Sequence, residues 1–78
     1  MAKLPLLTAK ELSKILVKMG FVKIRQEGSH IFFQHPDGRT TVVPEHPGEE
    51  IDRGLLNKII KKDLMTTRKG FEKYYNQI

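Results

Sequence analysis

The sequence predicts an α+β fold with the order α-β-β-β-α, in which a three-stranded antiparallel sheet carries two helices on one face, followed by a short C-terminal helix. Two segments, one on each side of the chain's centre, place apolar residues at helical spacing. Between them, three short alternating segments are separated by tight-turn residues, which is typical of an antiparallel meander. The length predicts a single domain spanning 1–78.

The first helix is predicted over about residues 9–19. Thr8 and Glu11 have the spacing of a capping box, in which each side chain accepts a hydrogen bond from a backbone N–H of the other residue. One apolar stripe follows at i, i+3, i+4 and i+7: Leu12, Ile15, Leu16 and Met19. Gly20 stands where a helix commonly ends in a left-handed residue.

Two turns divide the middle of the chain into three strands. Gly-Ser at 28–29 marks the first turn, and Pro-Asp-Gly at 36–38 marks the second, with Gly38 in the left-handed position. The third strand, "TTVV", is stopped by Pro44.

The alternation of side chains assigns faces to these strands. Val22 and Ile24 are expected to point into the core together with Ile31 and Phe33 of the second strand. The opposite face is expected to stay open to partners, because two helices cover only one face of such a sheet efficiently.

The second helix is predicted to begin at Asp52, which caps it after the hydrophobic residue Ile51. Its apolar stripe consists of Leu55, Leu56, Ile59 and Ile60. A short third helix is expected from about residue 67, with Phe71 and Tyr74 packing back onto the core.

Charge and composition restrict the class of partner. With 14 Lys and Arg against 9 Asp and Glu, the chain has a formal charge of +5, which favours nucleic acid, an acidic protein or an anionic membrane. Three lysines recur every four residues on one face of the first helix: Lys10, Lys14 and Lys18. The absence of cysteine excludes disulfides and thiol chemistry and fits a cytoplasmic location.

No segment of the sequence is a membrane span, since none approaches the ~20 consecutive apolar residues required. The histidines and carboxylates show no metal-ligand spacing such as H-E-x-x-H, so no metal is expected. A domain this small also has no room for a large enclosed cofactor.

His30 is the strongest candidate for chemistry. It begins a strand directly after the Gly-Ser turn, with its ring on the open face, and Lys23 and Arg25 on the preceding strand are expected to share that face. An imidazole beside cations can take the proton of an RNA 2′-hydroxyl while Lys or Arg stabilises the phosphate. A plain surface histidine fits the spacing equally well.

Four other residues bear on the function, and two of them have two interpretations each. His46, in the "PEHPG" loop, either shapes that loop or supplies a second acid/base group. His35 is interpreted as a solvated turn residue. Phe32 either stacks an RNA base or makes a cross-strand or interface contact. Arg39 is expected to contribute to RNA binding.

The ordered set of motifs resembles one known family. "LVKMGFVKIRQEGSHIFFQHPDGRTTVVPEHPGEEIDRGLLNKII" is similar to the HicA family of bacterial toxin ribonucleases, with a helix ending in Gly-Phe, Gly-Ser-His, a hairpin, a Val-Pro-x-His loop and a Leu/Ile-rich helix. The resemblance covers roughly residues 6–71. It implies a fold similar to the double-stranded-RNA-binding domain.

The same resemblance implies the function. It implies an mRNA-cleaving, translation-inhibiting toxin of a type II toxin–antitoxin system, paired with a HicB-type antitoxin that covers His30 and the basic face. His30 fills the catalytic position of the motif, with Gly28 and Ser29 setting its placement. Two departures are Glu27, where relatives often carry a basic residue, and Asp63-Leu64, where a small Ala-Gly pair is often seen.

Two non-enzymatic alternatives remain open from the sequence. A non-catalytic RNA-binding module of the same fold would recognise RNA by shape, phosphate and 2′-hydroxyl groups. A protein-interaction domain would use its basic face against an acidic partner. The sequence does not indicate the oligomeric state of the free chain.

Overall fold

A computed structural model of the protein describes residues 6–78, so residues 1–5 of the predicted domain lie outside the described part of the chain. The α+β fold and its element order are confirmed. The elements are α1 (Ala9–Lys18), β1 (Val22–Glu27), β2 (His30–Gln34), β3 (Thr40–Pro44), α2 (Arg53–Lys58), a π-helical segment (Ile59–Asp63) and α3 (Arg68–Tyr75).

The first helix begins and ends where the sequence predicts. The Thr8 Oγ1 accepts a hydrogen bond from the Glu11 backbone N–H at 3.3 Å, and the Glu11 carboxylate accepts one from the Thr8 N–H at 2.9 Å. Gly20 has φ +100 just beyond the last turn, a conformation that a side chain rarely adopts. The two signals therefore act locally, within about one turn of each helix end.

The three strands form one antiparallel sheet in the order β1-β2-β3. A two-residue loop joins β1 to β2, and its first residue, Gly28, has φ +58. β1 contains a bulge at Ile24, because Lys23 pairs with Phe33 while Arg25 pairs with the adjacent Phe32. The second turn closes with Gly38 at φ +101, as its sequence indicates.

The prediction that Val22 and Ile24 enter the core was wrong. Val22 is 57% exposed and Ile24 is 51% exposed. Val22 pairs with Gln34 on the open face, because the bulge at Ile24 reverses the alternation of the residues before it. In addition, the helical layer packs mainly over β3 and leaves β1 at the margin, where all six residues are exposed.

The core lies between β2, β3 and the helices. Ile31, Phe33 and Val43 contribute the sheet side of this core, and each is at most 4% exposed. The helices contribute their predicted stripes, which include Leu12, Ile15, Leu16, Leu56, Ile59 and Ile60. Phe71 of α3 is completely buried and Tyr74 packs against the cluster, so the short third helix also forms as expected.

The second helix continues directly into the π-helical segment. Asp52 caps α2 by accepting a hydrogen bond from the Leu55 N–H at 3.2 Å. The segment ends with the Leu64 N–H donating to the Ile59 carbonyl at 2.8 Å, a π-type bond, and Met65 follows with φ +54. Leu64, the second residue of the Asp63-Leu64 pair that departs from the family pattern, is fully buried in the core.

Asp63, the first residue of that pair, is hydrogen-bonded to the sheet. Its Oδ2 accepts a hydrogen bond at 2.9 Å from the hydroxyl of Thr41, which is buried on β3. The Asp63 carboxylate therefore accepts the hydrogen bond of a buried hydroxyl, which would destabilise the fold if it had no acceptor.

Candidate nucleic-acid interface around His30

His30 is the first residue of β2 and lies on the face of the sheet that the helices leave open. Its cross-strand neighbours are Glu27 on β1 and Pro44 on β3. The residue is exposed. The ring is therefore accessible to a large substrate approaching the sheet from outside, as general acid/base chemistry on RNA requires.

The Gly-Ser turn that precedes His30 is held by hydrogen bonds from two directions. The Gln26 Nε2 donates to the Gly28 carbonyl at 3.1 Å and to the Glu45 Oε1 at 2.7 Å. From the far side of the sheet, the Glu45 backbone N–H donates to the Ser29 carbonyl at 2.6 Å. These bonds join the turn that carries His30 to the chain immediately before His46.

Arg25 and Phe32 lie on the same open face as His30. They are cross-strand partners, and the Arg25 guanidinium carbon lies 4.3 Å from the centre of the Phe32 ring, a cation–π contact. The Arg25 Nε also donates to the Glu27 carboxylate. The face that carries His30 therefore also presents an arginine on the neighbouring strand, together with a carboxylate that partly offsets its charge.

Lys23 does not share this face, contrary to the expectation from alternation. It pairs with Phe33, whose side chain points toward the helices, and its Nζ donates to the Gln26 Oε1 at 3.2 Å. The bulge at Ile24 is the physical cause, because it places Lys23 one position out of phase with Arg25. The structure therefore brings His30, Arg25 and Phe32 together and leaves Lys23 on the other side of the sheet.

Arg39 packs against the helical side of the molecule. Its guanidinium donates to the Asp37 carboxylate at 2.8 Å and to the Leu64 carbonyl at 2.6 Å, and it lies 5.2 Å from the centre of the Phe21 ring. These contacts tie the β2–β3 turn to the end of the π-helical segment. None of these contacts involves the His30 face, and the role of Arg39 in RNA binding stays a prediction.

The interpretation of His35 as a solvated turn residue was wrong. The ring packs edge-on against Phe21 with centroids 5.1 Å apart, and its side chain is only 20% exposed. The Asp37 backbone N–H donates to its Nδ1 at 3.1 Å. Gly20 is a further neighbour, since a Cβ at that position would lie 2.9 Å from the His35 Nε2.

Asp37 itself is held in its ionised form by the turn. The Arg39 backbone N–H donates to the Asp37 carboxylate at 3.0 Å, and this bond, more than the Arg39 guanidinium, keeps the pKa of the carboxyl below its ordinary value of 3.8. The ion pair at this turn therefore has a structural role.

His46 lies in the loop that follows β3. It is exposed, and its carbonyl accepts a hydrogen bond from the Glu49 N–H at 2.9 Å, which closes a tight turn of the loop. His46 follows Pro44, the cross-strand partner of His30, by two residues. Both histidines are thus at the same end of the sheet.

Two features of the site are not evident from the sequence. Gln26 and Glu45 are 19 positions apart, and no local motif signals that their side chains meet. Val42 on β3 is 37% exposed and pairs with Phe32, which extends the apolar part of the open face.

Within residues 6–78, no group of three histidine, cysteine, aspartate or glutamate side chains is arranged to hold a metal ion. No helix in the same range is long and apolar enough to cross a membrane.

A comparison with protein-family models matches residues 9–63 to the HicA toxin of bacterial toxin–antitoxin systems. The match runs from the start of α1 to the end of the π-helical segment and includes both His30 and His46. A search of curated proteins finds no significant match.

Proposed function

The chain belongs to the HicA toxin family of bacterial toxin–antitoxin systems, and we propose that it is an endoribonuclease that cleaves mRNA with His30 as the general base. The observation that carries this proposal is the exposed His30 ring, presented by a hydrogen-bonded Gly-Ser turn on the same face as Arg25 and Phe32. Inhibition of translation then follows from loss of the message.

The proposed reaction is a transfer within the RNA backbone. The neutral His30 imidazole takes the proton of a ribose 2′-hydroxyl, and the 2′-oxygen attacks the adjacent phosphorus. The bond from phosphorus to the 5′-oxygen breaks, which leaves a 2′,3′-cyclic phosphate and a 5′-oxygen that must receive a proton. In this proposal Arg25, on the same face, stabilises the charge that develops on the phosphate oxygens.

The second proton transfer needs a separate group, because His30 cannot act as base and acid in one concerted step. His46 is at the same end of the sheet and is the side chain we propose for it, with water as the substitute in its absence. A single general-base contribution is worth roughly 10²–10⁴-fold. The enzyme is accordingly expected to be slower than ribonucleases that use two well-placed histidines.

We also propose that a HicB-type antitoxin neutralises the toxin by covering the open face. Besides His30, this face exposes a group of apolar side chains: Val22, Ile24, Phe32 and Val42. An apolar patch beside a reactive residue favours a protein partner that buries both at once. Such a complex excludes RNA from the imidazole without any change of fold.

The test is incubation of the purified chain with labelled RNA in EDTA. We expect cleavage by the wild-type chain, and a loss of roughly 10²–10⁴-fold in rate for His30→Ala. RNA affinity should be retained in that variant, because phosphate contacts come mainly from Lys and Arg. Circular dichroism should show an unchanged fold, since His30 is exposed.

His35→Ala does not serve as a control, because that ring packs against Phe21. His46→Ala, the second exposed histidine at this end of the sheet, tests the proposed general acid, and a smaller loss is expected for it because water can take its place. Cleavage at the wild-type rate by His30→Ala would refute the assignment. Intact but retarded RNA with every variant, including wild type, would favour the non-catalytic RNA-binding module.

A further inference from the structure

A groove runs between α1 and β1 on the side of the sheet opposite His30. It has a volume of about 660 Å³. One stripe of α1 forms its first wall, with Lys10, Ser13, Lys14 and Val17 at i, i+3, i+4 and i+7. The groove exists because the helical layer packs mainly over β3 and leaves the helix side of β1 uncovered.

The floor and ends of this groove are aliphatic. Val17 is 61% exposed at one wall, and Ile78 is 47% exposed at another. Ile31 forms part of the floor. Phe33 also lines it, but only 3% of that residue is exposed, so the groove offers no open aromatic ring on which a base could stack.

The rim of the groove is strongly positive. Four lysines line it: Lys10, Lys14, Lys18 and Lys23. Glu45 is the one acidic side chain that lines the groove in the described part of the chain, and it is hydrogen-bonded to Gln26. Lys10, Lys14 and Lys18 follow one another at four-residue spacing on α1, an arrangement of like charges that destabilises an isolated helix.

We propose that this groove binds an acidic, amphipathic segment of a protein partner. Leucine-like side chains of the segment would fill the aliphatic floor, and carboxylates on either side of them would pair with the lysines. Charge complementarity and the aliphatic lining together select this occupant over RNA, whose bases would find no stacking surface. The site is on the face opposite His30, so binding does not depend on catalysis.

The experiment titrates the isotope-labelled full chain with a short blocked helical peptide that carries leucine on one face and glutamate at the flanking positions. We expect the amide NMR signals of the α1 residues that line the groove to shift, while the imidazole ring signals of His30 remain in place. Two control peptides carry glutamine in place of glutamate or serine in place of leucine. Each should bind at least about tenfold more weakly, since both charge and apolar contact contribute.

Two substitutions in the chain locate the site. Val17→Glu places a like charge against the peptide and should weaken binding by about tenfold or more, and Lys14→Glu should weaken it by about fivefold. Both positions are exposed on α1 and tolerate glutamate in a helix. Lys62→Glu and Ile24→Glu are the matched controls, since each introduces the same charge at an exposed position outside the groove.

Several results would overturn the proposal. These are no binding, equal binding of the glutamine peptide, or loss of binding through Ile24→Glu instead of Val17→Glu. A single-stranded oligouridine that shifts the same groove signals and competes with the peptide would assign the groove to RNA. None of these outcomes bears on whether His30 cleaves RNA, so the two proposals stand or fail separately.

Discussion

β1 and the β2–β3 hairpin have similar alternating sequences but very different environments. In β2 and β3, buried and more exposed residues alternate, and Ile31, Phe33 and Val43 enter the core. In β1 every residue is exposed, including Val22 and Ile24. The difference shows that a bulge can reverse the face that alternation assigns to a side chain, and that the position of the helical layer decides whether a face is buried.

The covered strands and the uncovered strand also have different roles in the sheet. The covered strands hold the fold together through apolar contact and through the Thr41–Asp63 bond. The uncovered strand supplies Arg25 to the His30 face and Lys23 to the groove on the other side. Because all of its residues are exposed, both faces of this marginal strand are accessible to partners.

The largest expected effect is on the free energy of unfolding, and it is tested by shortening one apolar side chain from each region. Phe33→Ala should lower the free energy of unfolding by about 3–5 kcal/mol, because it removes a buried ring and leaves a cavity. Ile24→Ala should lower it by less than about 0.5 kcal/mol, since half of the side chain is already in water. Urea denaturation of both variants measures the two values, and similar losses would show that β1 is part of the core.

A second prediction concerns the bond that ties β3 to the π-helical segment. Asp63→Ala should cost about 1–3 kcal/mol, because the hydroxyl of Thr41 stays buried without its carboxylate partner. Adding Thr41→Val should recover part of that loss, since the unsatisfied hydroxyl is then removed. Thermal unfolding of the two single variants and the double variant measures the coupling, and strictly additive losses would contradict it.

The smallest effect is expected on the open face of β1. Glu27→Gln removes a carboxylate beside His30 and frees Arg25 from its ion pair, so RNA affinity should rise by about two- to fivefold. Glu72→Gln, on α3 away from this face, is the charge-matched control. Fluorescence anisotropy with a labelled oligonucleotide at two salt concentrations measures the change. Unchanged affinity would mean that phosphates do not approach this end of β1.

Features of the fold that depend on short-range interactions were predicted from the sequence, whereas features that depend on long-range contacts were not. The caps at Thr8 and Asp52 and the turns at Gly28 and Gly38 were predicted correctly, because each depends on residues at most four positions apart. The bulge at Ile24 was not, since nothing in "VKIRQE" distinguishes a bulged strand from a regular one. The wrong faces predicted for Val22 and Lys23 follow directly from this bulge.

The histidines illustrate the same limit. His30 was placed correctly on the open face, because a strand that begins just after a two-residue turn has little freedom of register. His35 was assigned to solvent although its ring packs on Phe21, a residue 14 positions earlier in the chain. Turn statistics describe the backbone of such a residue and carry no information on a distant ring.

By itself the sequence determined the helix ends, the turns, the order of the elements and the family motif around Gly-Ser-His, since these are encoded in short stretches whose backbone preferences are local. Only the tertiary structure decided which strand the helices cover, which face Lys23 occupies and which side chains hold the turn that precedes His30. Those outcomes depend on strand register and on the lateral position of one layer over another, and both result from contacts between residues far apart in the chain.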